Sequence, residues 1–358
     1  KDKNKKWKII INIVAVVIFL AGVLTSLMYS ILITGAKNMD SDSKKLVSGS
    51  NSDSESVETA VVYKRNTYAY KKGLINILVL GIDGEGNLYD GHTAGNMGQS
   101  DAIYLLSIDT INKKISVIGI PRDTMTSVRF FDQNGSLTTV NTAQIAVQYA
   151  FGSDIDDSLN LTANAVSKLL YNVSIDRVMA LSINSIGIIN DAIGGVDVTI
   201  ENDFTDESGE ILEESFIKGN TVHLEGDSAR IFVQERDCNI AGSAMDRLSR
   251  QEQYFEKFIP KAKKAVKRNV FLGIDICNKL DKKGMMYTDM SMSEIAYVIS
   301  EVLKCDFSFD EIKKRSVKYK RWRTTKRQRH SDGSKFPLLY LCLFLFCVLN
   351  LGLKDCSA

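Results

Sequence analysis

Gln99-Ser100-Asp101 and Pro121-Arg122-Asp123 each sit beside an apolar run that reads as a strand. Two carboxylates and an arginine at strand ends suit phosphate chemistry, because carboxylates hold hard cations and a guanidinium forks onto phosphate oxygens. Downstream, Glu235-Arg236-Asp237 and Asp246-Arg247-Leu248-Ser249-Arg250-Gln251 form a second group of arginines and acids. A fold could bring it against the first. Arg247, Arg250 and Gln251, spaced three and four apart, share one helix face.

The elements that must position these residues alternate. Ile75 to Leu80, Ala102 to Ile108 and Ile115 to Ile120 are apolar and β-branched, with Asn112-Lys113-Lys114 as a turn between the last two. They read as strands. Thr142 to Ala150 and Ser158 to Tyr171 show apolar residues at helical spacing. Val178 to Ile183 and Val196 to Ile200 read as strands around a short helix, Ser185 to Ala192, which Gly194-Gly195 ends. A long helix is expected from Met245 to about Lys267, interrupted or kinked near Pro260, with Tyr254, Phe255, Phe258 and Ile259 available to pack. The expected fold class is α/β, a mixed central sheet covered by helices and preceded by one N-terminal transmembrane helix.

Residues Ile9 to Ile33 carry no charge, a longer run than the ~20 residues that cross a bilayer. The lysines at 1, 3, 5, 6 and 8 mark the cytoplasmic side, so the chain after Thr34 is expected outside the cytoplasm. A cleaved signal peptide is the rival reading, but its apolar region is usually about 7–15 residues and ends in a small-x-small site. The expected organisation is a basic tail at 1–8, an anchor at 9–33, a polar linker at 34–69 and a globular body at 70–310. A tail of unknown role, 311–358, follows. The linker is rich in Ser, Asp, Asn and Lys, the composition of a solvated spacer.

Net charge is +2 over the whole chain, yet residues 9–310 carry eleven more acidic than basic side chains. Non-specific nucleic-acid binding needs a basic face. A local anion site fits better, and no nucleic-acid partner is expected. Cys238, Cys277 and Cys305 are the three cysteines of the body and show no CxxC spacing, so neither a disulfide framework nor a zinc site is indicated. One bridge, Cys277 to Cys305, is open. Cys238 reads as a buried free thiol or a reactive one. Gly81, Gly84 and Gly86 follow a strand in the order GxxGxG, not the dinucleotide order GxGxxG. His92 and His223 read as loop or packing residues.

Taken in order, the segments 76–83, Ser100-Asp101, Ile120-Pro121-Arg122-Asp123, Asp191 to Val196, and Arg247-Leu248-Ser249-Arg250-Gln251 resemble the LytR-CpsA-Psr family, over roughly Leu74 to Ile259. The preceding anchor agrees with that resemblance. It implies a membrane-anchored cell-envelope enzyme of mainly Gram-positive bacteria. Such an enzyme transfers a glycopolymer, such as teichoic acid or capsular polysaccharide, from a polyprenyl-pyrophosphate carrier to peptidoglycan. It implies Mg2+ as cofactor, an α/β fold with a lipid-holding apolar pocket, and the carrier-linked glycan, peptidoglycan and membrane lipid as partners. Asp83 and Asp101 become the candidate magnesium ligands. Arg122, Arg236, Arg247 and Gln251 become the candidate pyrophosphate contacts. Asp123 is either the base for the attacking hydroxyl or a turn aspartate, and Arg250 either a substrate contact or an ion-pair partner.

The chain departs from that pattern at two positions. Gln99 stands where the family usually has arginine before Ser-Asp, and Gln234 where it has the first arginine of a paired Arg-x-Arg. A neutral donor to phosphate is roughly half as strong as a charged one. Weaker catalysis, a different carrier head group, or a lipid-binding regulator without turnover would each follow, and hydrolysis of the pyrophosphate is a further alternative. The tail departs too: Glu311 to Lys335 holds eleven Lys and Arg, and Phe336 to Leu353 is uncharged and mostly apolar. A second span, an interfacial segment on anionic lipid, or a stretch foreign to the domain are the readings.

Overall fold

The structure is a computed structural model that describes residues 2–42, 60–63, 65–69, 71–83, 87–89, 93–203, 216–235, 243–269 and 271–305. Arg236, Asp237, Cys238, His92 and the tail beyond 305 lie outside the described residues. Helix α1 (Asp2–Asp42) comes first, then the short strands β1 (Ala60–Tyr63) and β2 (Asn66–Ala69). Next are β3 (Leu74–Ile82), β4 (Ser100–Asp109), β5 (Lys114–Ile120), β6 (Met125–Phe131) and β7 (Leu137–Gln144), a 3₁₀ helix (Ile145–Phe151) and α2 (Ile155–Leu169). Then follow β8 (Arg177–Ser182), α3 (Ser185–Ala192), β9 (Val196–Thr199), β10 (Thr221–Leu224), α4 (Asp227–Gln234) and α5 (Ser243–Arg268). The last are α6 (Leu272–Lys282), β11 (Met286–Thr288) and α7 (Met292–Leu303).

Five strands form the central sheet in the order β11-β8-β3-β4-β5. Only β3 and β8 pair in parallel; the other neighbours are antiparallel, so the sheet is mixed, as the sequence implied. Alternation along β3 sends Ile75, Ile77 and Val79 to one face and Leu78, Leu80 and Ile82 to the other. The first face is covered by α3 to α7, including Phe232, Tyr254, Phe255, Phe258 and Ile299. The second is covered by α2 and the 3₁₀ helix through Leu159, Val166, Ile145 and Tyr149. Each fully buried aliphatic side chain of β3 contributes about 1.5–3 kcal/mol. That strand is therefore the fixed frame from which the site is built.

Several expectations change. Residues 142–144 belong to β7, hydrogen-bonded to β6, and the helix that follows is a 3₁₀ turn from Ile145, so the expected helix over 142–150 does not form. The helical spacing of Ile145, Ala146 and Tyr149 is real, but the residues before them are held as a hairpin strand. Pro260 interrupts nothing: α5 runs through it from Ser243 to Arg268. β9 pairs with β10 in a separate two-stranded sheet rather than joining the central one. Cys277 and Cys305 are free, buried thiols of the main core and form no bridge. Gly194 and Gly195 end α3 at φ +80° and +65°, a left-handed turn that favours glycine.

The largest change concerns the anchor. α1 is long and apolar enough over Ile13–Asp40 to cross a membrane, but it continues past residue 33, and β1 and β2 form within the segment expected to be linker. Met39 is buried in the main core, with Met28 and Leu32 packed against it. Gly35 is pressed so closely on α7 that an added Cβ would lie 2.0 Å from the Ser293 carbonyl oxygen and 2.8 Å from Tyr297 Cβ. Arg177 ties the junction, pairing with Glu294 and donating from Nη2 to the Asn38 carbonyl at 3.4 Å.

Candidate active site

The C-terminal ends of β3, β5 and β8 and the start of β4 all lie at one end of the sheet. Asp83 is the residue that follows β3. Gly81 pairs with Ala102 and Ile82 with Ser100, so Asp101 has no partner in the ladder. This is a β-bulge, which bends the strand and re-aims the extra side chain. Ser100 is buried and donates through Oγ to the Ala146 carbonyl at 3.2 Å. The Gln99 amide donates to Asp83 Oδ1 at 3.0 Å, and the Asp83 amide returns a bond to the Gln99 carbonyl at 3.3 Å. Asp83 and Asp101 are thereby fixed on adjacent strand ends.

Arg122 reaches them from the next strand. The turn Pro121 to Thr124, closed by the Thr124 amide on the Pro121 carbonyl at 2.9 Å, follows β5 directly. The end of β7 and the 3₁₀ helix clamp that turn, Ile145 N bonding Thr124 O at 2.9 Å and Ala146 N bonding Arg122 O at 3.2 Å. The Arg122 guanidinium pairs with Asp101 and donates from Nη2 to Gln99 Oε1 at 2.9 Å. Asp123 lies 4.0 Å from Arg122 Nε and accepts from Gln144 Nε2 at 2.9 Å. It is a turn residue, as one of its two sequence readings had it, and it also borders Arg122.

Burial is the main cause that raises the Asp101 carboxyl to about 6, and the neighbouring Asp83 charge adds to it; Arg122 acts in the opposite sense. With Asp123 adding a smaller push in the same direction as Asp83, three carboxylates and one cation share a partly buried site. Among the described residues no group of three His, Cys, Asp or Glu side chains forms a metal cage. A pair of carboxylates suits a cation that keeps its other positions for water and phosphate oxygens.

The second group of residues is built around the end of α4. Arg250 donates from Nε to the Phe232 carbonyl at 2.8 Å and also bonds the Glu235 carbonyl. Gln251 is buried and donates from Nε2 to the Val233 carbonyl at 2.8 Å. Arg247 lies 3.5 Å from the Gln234 carbonyl. Carbonyls in the last turn of a helix have no intrahelical donor, and α5 supplies these. Arg250 thus helps close the end of α4 through backbone carbonyls, and burial lowers its pKa to about 10. Gln251, expected to contact pyrophosphate, spends its amide inside the protein.

Among the described residues the two groups make contacts with different partners, and Arg236, a member of the second group, lies outside those residues. α3 connects the two regions: it starts just after β8, at the same end of the sheet as Asp101. Its C-terminal half meets the start of α4, where Asp191 Oδ1 accepts from the Gly226 amide at 2.6 Å. Sequence reasoning missed Arg230. It binds Asp227 at 2.6 and 2.9 Å, Gln234 Oε1 at 2.7 Å and Glu235 at 3.2 Å. The spacing of 227, 230 and 234 on one helix face was the available signal. The bulge at Asp101 left no such signal.

Residues 29–335 match the LytR_cpsA_psr family. The polyisoprenyl-teichoic acid–peptidoglycan teichoic acid transferase TagU of Bacillus mycoides (strain KBAB4) is 30% identical over 261 residues, 73% of this chain and 72% of the relative. TagV of Bacillus subtilis (strain 168), a transferase of the same name, is 27% identical over 197 residues, 54% of this chain and 45% of the relative. The crystal structure of B. subtilis TagV aligns with a TM-score of 0.44 at 19% identity, covering 77% of this chain and 98% of that one.

Proposed function

The chain belongs to the LytR_cpsA_psr family, and from that premise we propose that it transfers a glycopolymer of the teichoic acid type from a polyprenyl-pyrophosphate carrier to peptidoglycan. The transferase names of its relatives support the reaction class. The observation that carries the reading is the convergence of Asp83, Asp101 and Arg122 on one sheet end. In the proposed orientation α1 crosses the membrane with its lysine-rich start in the cytoplasm, so the body meets the carrier and the wall outside.

In the transfer, a peptidoglycan hydroxyl attacks the phosphorus attached to the sugar, and the bond from that phosphorus to the bridging oxygen breaks. The glycan then carries a phosphodiester to the wall, and polyprenyl phosphate leaves with the bridging oxygen and its electron pair. Arg122 would bind non-bridging oxygens and meet the charge that grows on them, the term that dominates phosphoryl transfer together with positioning. Gln99 holds the guanidinium in place through its Oε1. Asp123 borders Arg122 and is the candidate base for the hydroxyl proton. Arg247 would extend the cationic lining from α5, and Arg236, outside the described residues, is the further candidate pyrophosphate contact.

Asp83 and Asp101 would hold a magnesium ion. Their hard oxygens suit it, and the repulsion that helps raise Asp101 to about 6 is relieved by a dication. Bound there, the ion would neutralise charge on the phosphoryl oxygens.

The test is the full chain in detergent with magnesium, a polyprenyl-pyrophosphate oligosaccharide and peptidoglycan fragments, read by mass spectrometry. Polyprenyl phosphate together with a phosphodiester-linked conjugate, both lost in Arg122→Ala, is the expected result. Polyprenyl phosphate alone would assign hydrolysis, and tight carrier binding with no product would assign a lipid-binding regulator.

A further inference from the structure

α1 and α7 run antiparallel. A single nitrogen of Arg177, Nη2, contacts both the Asn38 carbonyl and the Glu294 carboxylate, and the capping box turns that carboxylate back to Ser291 at the start of α7. Residue 38 of α1 is thus beside the first turn of α7, with Gly35 against Ser293 and Tyr297. Met28 and Leu32, further toward the apolar stretch of α1, pack on the same core. The C-terminal end of α7 therefore points back toward the bilayer that α1 crosses.

That end is joined to the β4–β5 turn. Lys113 Nζ binds Glu301 Oε2 at 2.8 Å, and Lys304 Nζ binds Glu301 Oε1 at 2.5 Å. Lys71 pairs with Asp109, and the Thr110 amide bonds the Gly73 carbonyl at 2.9 Å, which brings Lys71 and Lys72 beside the turn. Both carboxylates lie inside, Asp109 and Glu301 having side chains only 12% and 6% exposed. The lysine heads stand outside, with Lys72 and Lys114 exposed as well. At the tip Ile111, whose side chain lies over Gly73, is 63% exposed. In a body with a net acidic balance, one end presents five lysines around an exposed aliphatic side chain.

We propose that this end is a membrane-facing surface, with Ile111 entering the headgroup layer and Lys71, Lys72, Lys113, Lys114 and Lys304 contacting anionic phospholipid. Continuity with α1 selects the bilayer as the occupant. Lysine side chains can lay their stems along apolar surface and keep their heads at phosphate level, and basic clusters next to a membrane segment bind anionic lipid. The inference rests on α1 crossing the bilayer and not on the phosphate chemistry of Asp101 and Arg122.

Hydrogen exchange of the full chain in nanodiscs tests it without reading turnover. Amides of residues 110–114 are expected to exchange roughly fivefold more slowly in discs of phosphatidylglycerol and phosphatidylcholine in equal parts than in phosphatidylcholine alone. Ile111→Ser combined with Lys114→Ser, both at exposed positions, should remove that protection while α1 stays protected in both lipids. Equal exchange in the two lipids overturns the proposal, as does protection that survives the double substitution. Solvent-rate exchange along α1 overturns it at its premise.

Discussion

Arg122 holds Gln99 and Asp101 together: Nη2 donates to Gln99 Oε1 at 2.9 Å while the same guanidinium pairs with the Asp101 carboxylate. Because arginine only donates, the glutamine must present its oxygen here, leaving its NH2 group for another acceptor. An arginine at 99 would set one cation against another. Gln234 repeats the relationship with Arg230 at 2.7 Å. The two glutamines that depart from the family pattern each orient a neighbouring arginine.

Gln99→Leu is therefore expected to lower kcat/KM roughly fivefold, the scale of one net hydrogen bond of about 1 kcal/mol. Steady-state release of polyprenyl phosphate measures it. No change would show that Arg122 is positioned by Asp101 alone.

Arg122→Ala should cost more. Removing a single preorganised donor from a charge-stabilising site typically lowers kcat by about 10²–10³. Arg122→Lys is expected to recover only part of that loss, because an ammonium lacks the planar fork. Full activity in the lysine variant would reduce the role of Arg122 to that of a point charge.

Magnesium is expected to stabilise the full chain by about 2.7 kcal/mol at a hundredfold excess over Kd, and so to raise its unfolding temperature. Asp83→Asn and Asp101→Asn should each abolish the shift in a thermal melt. A shift that persists in both would move the cation elsewhere.

The pH dependence has two branches. Burial raises Asp176 and Asp289 from 3.8 to about 6, although each accepts a backbone amide, Asn76 at 2.7 Å and Val178 at 2.9 Å. A raised carboxyl stabilises the fold below its unfolded pKa and loses that contribution as pH rises through its folded value. The melting temperature should therefore climb as pH falls from 7 toward 4, with metal-free Asp101 acting in the same direction. Asp109 acts in the opposite direction, since hydrogen bonds from Asn112 and Lys71 hold it well below the ordinary range. Its contribution is lost only in stronger acid. Asp176→Asn and Asp289→Asn should flatten the climb, and a monotonic fall from pH 7 would contradict this assignment.

Gly35→Leu should separate α1 from α7, because a side chain there meets the Ser293 carbonyl and Tyr297. Overpacking of this kind costs about 1–3 kcal/mol. Limited proteolysis of the detergent-solubilised chain would detect it as new cleavage near residues 36–42 while the body stays resistant. Unchanged protection would mean that the helices can move apart at little cost.

The strands that frame the site were legible because β3, β4 and β5 are apolar runs with a polar turn between the last two. α3 was bounded correctly because paired glycines mark its end. The hairpin of β6 and β7 was not, since its second strand is almost wholly exposed and shows no core-facing alternation. Proximity of Asp101 and Arg122 could be read from strand ends, but the bulge that turns Asp101 out of the ladder depends on its pairing with β3. The role of Arg250 and Gln251 in closing α4 was equally hidden, because a shared helix face does not say what it faces. The docking of Gly35 on α7 joins residues too far apart in sequence for any local pattern to reveal.

The bulge also limits how the gene can change length. With Asp101 unpaired, β4 keeps one alternation before it and another after it. Loss of a single codon within β4 would transpose the residues that face the two cores, sending Ile103 and Leu105 to the side that Ala102, Tyr104 and Leu106 fill. Insertions and deletions should then be tolerated at the outer ends of the β6–β7 hairpin and excluded from β4, which leaves the strand able to vary in composition but not in length.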